Sequence, residues 1–339
     1  MQLYLFLLII FIANIIHLNN YTQNILLFKN NIIKLHYMID EYVNKLIENL
    51  PNETKTFQKI DLVLDGGIFN GSYLVGALYF LKEMEKRNYL KIERISGCSI
   101  GSVIAFLYFI DDLDFIPKLY ELANNEFKSN FKLKLIKKLK IYLNDRIPND
   151  ICRKVNGKLF ICYNDIKHNK KIVKSKYKNV DEIMDSIIKS CFIPFLIDDN
   201  MVYKKKYVDG MNPYIFEKTS DKKILHMELF SFDKFTYAIN IKNEKTNFHR
   251  IMSGLLDIHC FFIKNSNTSM CSYVEDWNII NKFNYRLKII LEKIIIYILY
   301  LIHYFKKYLP KDFHDNLMIK IISKLAFDIF ILILEKYCL

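Results

Sequence analysis

The sequence predicts an α/β domain with a mainly parallel sheet flanked by helices, and three observations carry that prediction. Two short apolar stretches, residues 60–64 and 92–96, each run into a glycine-bearing turn and then into a segment of helical period. Strand, turn and helix repeat within about fifty residues, the pattern of a right-handed βαβ unit in a parallel sheet. Downstream, strand-like and helical segments keep alternating as far as residue 264. Composition agrees: 52% of the 339 residues are hydrophobic and only 9 are Gly and 6 Pro. That excludes disordered and collagen-like chains and leaves ample material for a core.

Taken in order, residues 3–16 are apolar apart from Asn14. The run is shorter than the roughly 20 residues of a spanning helix. Neither a basic n-region nor a small-residue cleavage site accompanies it. The expectation is an uncleaved apolar membrane anchor over residues 1–18, ahead of a cleaved signal and then a buried helix. Lys29 and Lys34, the nearest following charges, place the main domain on the cytoplasmic side. Residues 19–57 read as a helical connector patterned by Ile39, Val43, Leu46, Ile47 and Leu50 and ended by Pro51-Asn52. The α/β part follows over 58–240. Within it, residues 158–163 and 171–174 are strands around an Asn169-Lys170 turn, and 180–189 is a helix. Residues 207–208 and 224–230 are further strands, and 247–264 is a helix. Residues 241–339 form a helical C-terminal region, greasiest at 294–304 and 325–334.

Charge and cysteine usage narrow the function classes. Lys and Arg number 49 against 36 Asp and Glu, a formal net charge of +13. That balance attracts phosphate surfaces, and the apolar excess favours lipid over nucleic acid. The 7 cysteines are odd in number and scattered, with no C-x-x-C. They indicate neither a disulfide framework nor a zinc site, but small buried hydrophobes in a reducing compartment.

The strongest chemical signal is Gly97-Cys98-Ser99-Ile100-Gly101. A serine on a sharp strand-to-helix turn needs small neighbours, and the turn lifts its hydroxyl toward substrate. The helix behind it offers orphan amides to a developing oxyanion. G-x-S-x-G alone is common by chance, so the strand–turn–helix context is what gives it weight. Upstream lies Asp65-Gly66-Gly67-Ile68-Phe69-Asn70-Gly71, at the exit of the preceding strand. It is a tight turn, a phosphate cradle or an oxyanion loop. No Gly-Lys-Ser/Thr follows and Gly-x-Gly-x-x-Gly is absent, so the oxyanion loop fits best. Asp209-Gly210 closes another apolar strand. An isolated Asp-Gly is usually only a turn, but beside a serine nucleophile it becomes a candidate base.

These motifs together, DGGIFNG at 65–71, GCSIG at 97–101 and YVDG at 207–210, resemble the patatin-like phospholipase family, and among it the short patatin-like proteins of large DNA viruses. The stretch SCFIPFLID at 190–198 resembles the serine-containing helix end and proline that precede the family's aspartate. The resemblance spans roughly residues 58–215 and implies a three-layer α/β sandwich and a lipid acyl hydrolase using a Ser-Asp dyad. Carried over by motif, Ser99 is the nucleophile and Asp209 the base. Gly66, Gly67 and the Ile100 amide line the oxyanion hole, while Gly71, Gly97, Gly101 and Gly210 complete the motifs. No cofactor or metal is implied, and the expected partners are a phospholipid or other acyl lipid and a membrane surface, not nucleic acid.

The chain departs from the family pattern at three positions. Ile68 stands where a third glycine is usual, Asn70 where Arg or Lys is usual, and Met211 where Gly or Ala follows Asp-Gly. A β-branched residue takes φ > 0 only with difficulty. The alternative is therefore a membrane-bound pseudoenzyme that binds lipid or a partner. A Ser-Asp-His triad also stays open, since His226, His249 and His259 all follow Asp209. Finally, Phe131, Leu135, Leu139 and Leu143 recur at every fourth position among Lys128, Lys132, Lys134, Lys137, Lys138 and Lys140. They predict one amphipathic helix, docked on the core or resting on anionic headgroups.

Overall fold

The computed structural model describes residues 38–229 and 246–308, together with residues 240, 241, 244, 321, 324, 325 and 332. The chain divides into two compact units, residues 1–48 and residues 49–339. Of the first, residues 38–48 are helical (α1), as the connector's apolar spacing predicts. The expected anchor over residues 1–18 lies outside the described residues. Among the described residues no helix is long and apolar enough to cross a membrane.

Among the described residues the second unit is built on a seven-stranded sheet: β1 Gln58–Leu64, β2 Leu90–Cys98, β3 Leu159–Asp165, β4 Lys170–Lys174, β5 Tyr207–Asp209, β6 Lys223–Met227 and β7 Cys271–Tyr273. The order is β4-β3-β2-β1-β6-β7, with β5 against the end of β3. The β3-β2-β1-β6 core is parallel, and β4, β5 and β7 run antiparallel at its margins. The helices are α2 Gly71–Lys86, α3 Ile100–Phe109, α4 Ile116–Asn130, α5 Leu139–Leu143, α6 Ile151–Val155, α7 Val180–Ser190, α8 Phe248–Lys264 and α9 Ile279–Tyr308.

Register separates the two faces, because side chains alternate along each strand. Leu159, Ile95, Leu62, Leu225 and Tyr273 stand in one row, and Ile161, Gly97, Leu64, Met227 and Cys271 in the row two residues on. This wholly apolar face lies under α2, α3, α7 and α8. There α2 and α8 touch backbone to backbone, since a Cβ at Gly76 would run into the Ile251 carbonyl and one at Gly254 into that of Tyr73. The opposite face is mixed. Val63 and Ile224 pack with Phe216 and the partly buried Tyr214 and Ile215. Asp61 binds Arg94 there, and His226 meets the rings of Trp277 and Tyr285, the latter on α9. The C-terminal region is therefore not uniformly helical: β7 extends the sheet before α9 covers the second face.

The single helix expected through residues 127–143 is broken. α4 stops at Asn130, Phe131 takes a left-handed conformation (φ 56°), and a short 3-10 turn, Lys134–Lys138, leads to α5. The chain bends so that the Leu133 amide reaches the Leu196 carbonyl while Leu133, Leu135, Ile136 and Leu139 all become buried. The lysines around this bend pair locally, Lys132 with Asp199, Lys137 with Asp198 and Lys140 with Asp181.

Candidate active site

Ser99 sits between the last residue of β2 and the first of α3, at φ 49° and ψ −131°. For a residue with a Cβ that conformation costs on the order of 1–3 kcal/mol and must be imposed by its surroundings. Small neighbours make the turn possible: a Cβ at Gly97 would come within 2.6 Å of the Gly101 carbonyl, and one at Gly101 within 2.6 Å of that of Asp65. Hydrogen bonds then lock it. The Ser99 amide donates to Ser190 Oγ (2.9 Å), whose own hydroxyl donates to the Cys162 carbonyl (2.6 Å). Ser102 Oγ donates to the Ser99 carbonyl (2.7 Å). Ser190 is thus the residue through which the end of α7 grips the elbow.

Asp209 ends β5 and is buried, paired across the ladder with Tyr163. Its amide donates to the Phe192 carbonyl (3.0 Å), which explains why the Ser190–Pro194 turn precedes it. Oδ1 accepts the Met211 amide (2.8 Å), while buried Oδ2 closes no hydrogen bond among the described residues. Burial pushes the Asp209 carboxyl up to about 7, against the pull of the neighbouring Ser99 hydroxyl and the Met211 amide; Glu292 adds to the rise and Lys171 opposes it. Ser99 and Asp209, from separate strands, are therefore brought side by side. A Cβ at Gly210 would collide with the Cys162 carbonyl, so the turn after Asp209 hugs β3.

The glycine loop lies against the elbow: a Cβ at Gly66 would stand 3.0 Å from Ser99 Cβ. The Gly66 amide, expected to face the oxyanion, instead donates to Asp65 Oδ1 (3.0 Å). A buried carboxylate needs donors, and Asp65 takes this one and the Leu229 amide (3.3 Å). Among the described residues the amides of Gly67, Ile68 and Ile100 make no such bond to a carboxylate. Gly71 starts α2 hard against Ile100, where a Cβ would not fit. Ile68 stands at φ 47° and Met211 at φ 50°, so the loop shapes usual for glycine are kept without it. Asn70 accepts a hydrogen bond from Arg250 Nη1 (2.6 Å) and donates to the Leu229 carbonyl (3.3 Å). Arg250, on α8 and almost wholly buried, thus brings a guanidinium to the loop position that lacks one. Its sequence context, a basic residue on an amphipathic helix, gave no sign of this.

A cavity of about 650 Å³, its open mouth included, adjoins Ser99. Its walls are almost entirely apolar, with Ile68, Ile100, Leu119, Leu133, Ile136 and Ile193 prominent among them. The broken 127–143 segment thus serves as a wall of this cavity.

The histidines fall elsewhere. His226 packs between Trp277 and Tyr285, its pKa lowered by burial; His249 pairs with Glu244 (3.2 Å); His259 stacks edgewise on Phe80. None of them hydrogen-bonds Asp209. Among the described residues no cluster of side chains is arranged to hold a metal, and Cys98, Cys152, Cys162, Cys191, Cys260 and Cys271 form no disulfide.

Compared with known proteins, residues 62–211 match the family model described as patatin-like phospholipase. That span runs from within β1 to just past Asp209 and includes the glycine loop, the elbow and the aspartate turn. A search of curated proteins found no match to the chain.

Proposed function

We propose, from the premise that this chain carries a patatin-like phospholipase domain over residues 62–211, that it is a serine-dependent lipid acyl hydrolase of the phospholipase A or lysophospholipase type. The observation that carries the reading is the placement of a strained Ser99 between buried Asp209 and an apolar cavity. A fatty acyl chain is the ligand such walls suit, with its ester carbonyl at the mouth beside Ser99.

In this mechanism Ser99 Oγ bonds to the ester carbonyl carbon as its proton passes to Asp209 Oδ2. The amides of Gly67, Ile68 and Ile100 hold the oxyanion. Collapse breaks the ester bond, and the departing alcohol takes the proton back from Asp209. Water then attacks the acyl-enzyme under the same base and releases the free acid, restoring Ser99. A carboxyl near 7 both accepts and returns a proton close to neutral pH. No metal or organic cofactor enters these steps.

Turnover of fluorogenic acyl esters and phospholipid vesicles by the purified chain tests this, beside Ser99→Ala and Asp209→Asn. Losses of about a thousandfold or more are expected in both. Equal turnover by all three proteins removes the hydrolase reading. One observation favours the pseudoenzyme alternative: the Gly66 amide is held by Asp65 and not turned toward Ser99. A fluorophosphonate probe separates the two, since it labels Ser99 only if the elbow is activated.

Lipid substrate implies work at a membrane surface. α9 exposes Ile290, Ile294, Ile298 and Ile302, a stripe at every fourth position, which together with residues 1–18 supports membrane association.

A further inference from the structure

α9 lies beyond the residues matched by the family, yet it sends two charged side chains into the site. Lys288 and Glu292 are four apart, so they leave the helix on one face, one turn from each other. Glu292 is 5% exposed. Its carboxylate accepts from Asn164 Nδ2 (2.9 Å), Asn212 Nδ2 (2.9 Å) and Lys171 Nζ (3.0 Å). The same Asn164 amide group donates to the Asp209 carbonyl (2.9 Å). The turn from Asp209 to Asn212 is therefore held at both ends from one carboxylate, with left-handed Met211 between. Lys288 reaches the other loop. Its ammonium stands 3.6 Å from Asp65 Oδ2 and also pairs with Glu228. Burial draws the Lys288 pKa down, but Asp65 and Glu228 outweigh it and hold the side chain above its usual value, hence charged. Asp65 is in turn the carboxylate that grips the Gly66 and Leu229 amides.

We propose that Lys288 and Glu292 are positioning residues, through which α9 braces the glycine loop and the aspartate turn at once and fixes the spacing between oxyanion donors and base. A buried ion pair of this kind is weak evidence for stability alone. Its value lies in orientation, because Glu292 takes the Asn212 amide of the aspartate turn and Lys288 pairs with Asp65 of the glycine loop, beside partners on β3, β4 and just after β6. Removing Lys288 leaves Asp65 buried with one partner fewer, and removing the Glu292 charge does the same to Lys171 and Asn212, so the loop each held is freed.

The kinetic consequence rests on the hydrolase reading, but the brace itself has a readout that does not. Hydrogen exchange on the folded full chain follows the two loops directly. Lys288→Met should speed exchange about tenfold over residues 65–71 and at Leu229, and Glu292→Gln likewise over 209–212, with amides inside β1 and β2 unchanged. Lys288→Arg should restore the wild-type pattern. In the active enzyme both variants should lower kcat ten- to a hundredfold, on the order expected for a misplaced site, with KM within about twofold.

The pH profile adds a sign. Asp209 is faced by Ser99 at the elbow, the Cys98 thiol from β2, the Cys191 thiol after α7, Lys171 from β4 and Glu292 from α9. Glu292→Gln should move the acid limb of kcat/KM to lower pH, and Lys171→Met should move it higher. Unchanged exchange in both loops, or a uniform acceleration throughout the sheet, overturns the brace. Acid limbs that stay put, or shift in the same direction in the two variants, overturn it too. A folded wild type that neither turns over esters nor labels with fluorophosphonate, yet shows the two-loop exchange pattern, sinks the hydrolase reading and upholds the brace.

Discussion

Asp209 carries the most perturbed carboxyl of the site, and its titration makes two opposite demands. As a base it must be ionised, so labelling of Ser99 by fluorophosphonate should rise through about pH 7 and fall about tenfold per pH unit below it. As a buried group raised from the ordinary carboxylate value, it favours the fold in its neutral form. That stability is fully present below about pH 4 and is lost as pH climbs through about 7, on the order of 4 kcal/mol in all. Asp209→Asn should therefore match wild type below pH 4 and be the more stable protein above pH 7, measured by urea midpoints across pH. A variant no more stable at pH 8 would mean that the carboxylate is not desolvated. Ile68 is the other residue-scale oddity, a β-branched side chain at φ 47°. Replacing it with glycine relieves the left-handed strain while forfeiting some packing, so Ile68→Gly should change stability by no more than about 1 kcal/mol. The same change at Ile60, fully buried in β1, should cost roughly 4 kcal/mol or more.

Elements were legible where their cause was local. The strands of the βαβ start, the Asn169 hairpin, α7 and α8 follow from periodicity and turn residues and stand within a residue or two of where the sequence puts them, while α2 and α3 run three or four residues further than their periodicity. The break in 127–143 was not legible. Its leucines do recur every fourth residue, but a distant backbone partner, the Leu196 carbonyl, bends the chain so that more of them are buried than one stripe allows. The α2–α8 crossing was equally silent, since Gly76 and Gly254 look like ordinary interruptions of helical pattern. Backbone contact at that crossing leaves no room for a methyl group. Gly254→Ala should thus destabilise the protein by roughly 3 kcal/mol despite its better helix propensity, readable as a lowered thermal midpoint. An unchanged or raised midpoint would show that the helices can part without cost.

At the scale of the whole molecule, the membrane proposal rests on the basic charge and on the apolar stripe of α9. The full-length chain is expected to float with membranes, and deletion of residues 1–18 should make it easier to extract. Lys132, Lys137 and Lys140 are already paired with aspartates, which leaves Lys128, Lys134 and Lys138 as the exposed lysines of that segment outside such pairs. The salt-sensitive part of binding to anionic vesicles should then be small, about 1 kcal/mol per free lysine. Vesicle flotation of full-length and truncated protein at low and high salt measures both. Full-length protein left wholly soluble at low salt removes the anchor. Salt-insensitive binding by the truncated form points to the Ile290–Ile302 stripe of α9.

By itself the sequence determined the class of fold, the order of the three motifs and the place of Ser99 on a strand-to-helix turn, because strands, tight turns and small-residue requirements are set by neighbours in the chain. Asp209 was legible as a candidate for the same reason. Its nearness to Ser99 was decided only when β5 folded back on β3 and buried the carboxylate behind the elbow. Arg250 at the glycine loop, the capture of the Gly66 amide by Asp65, and the reach of Lys288 and Glu292 from α9 were likewise tertiary decisions. Each depends on where a helix distant in sequence docks. A charged residue on such a helix shows the same local pattern whether it ends in water or in the site.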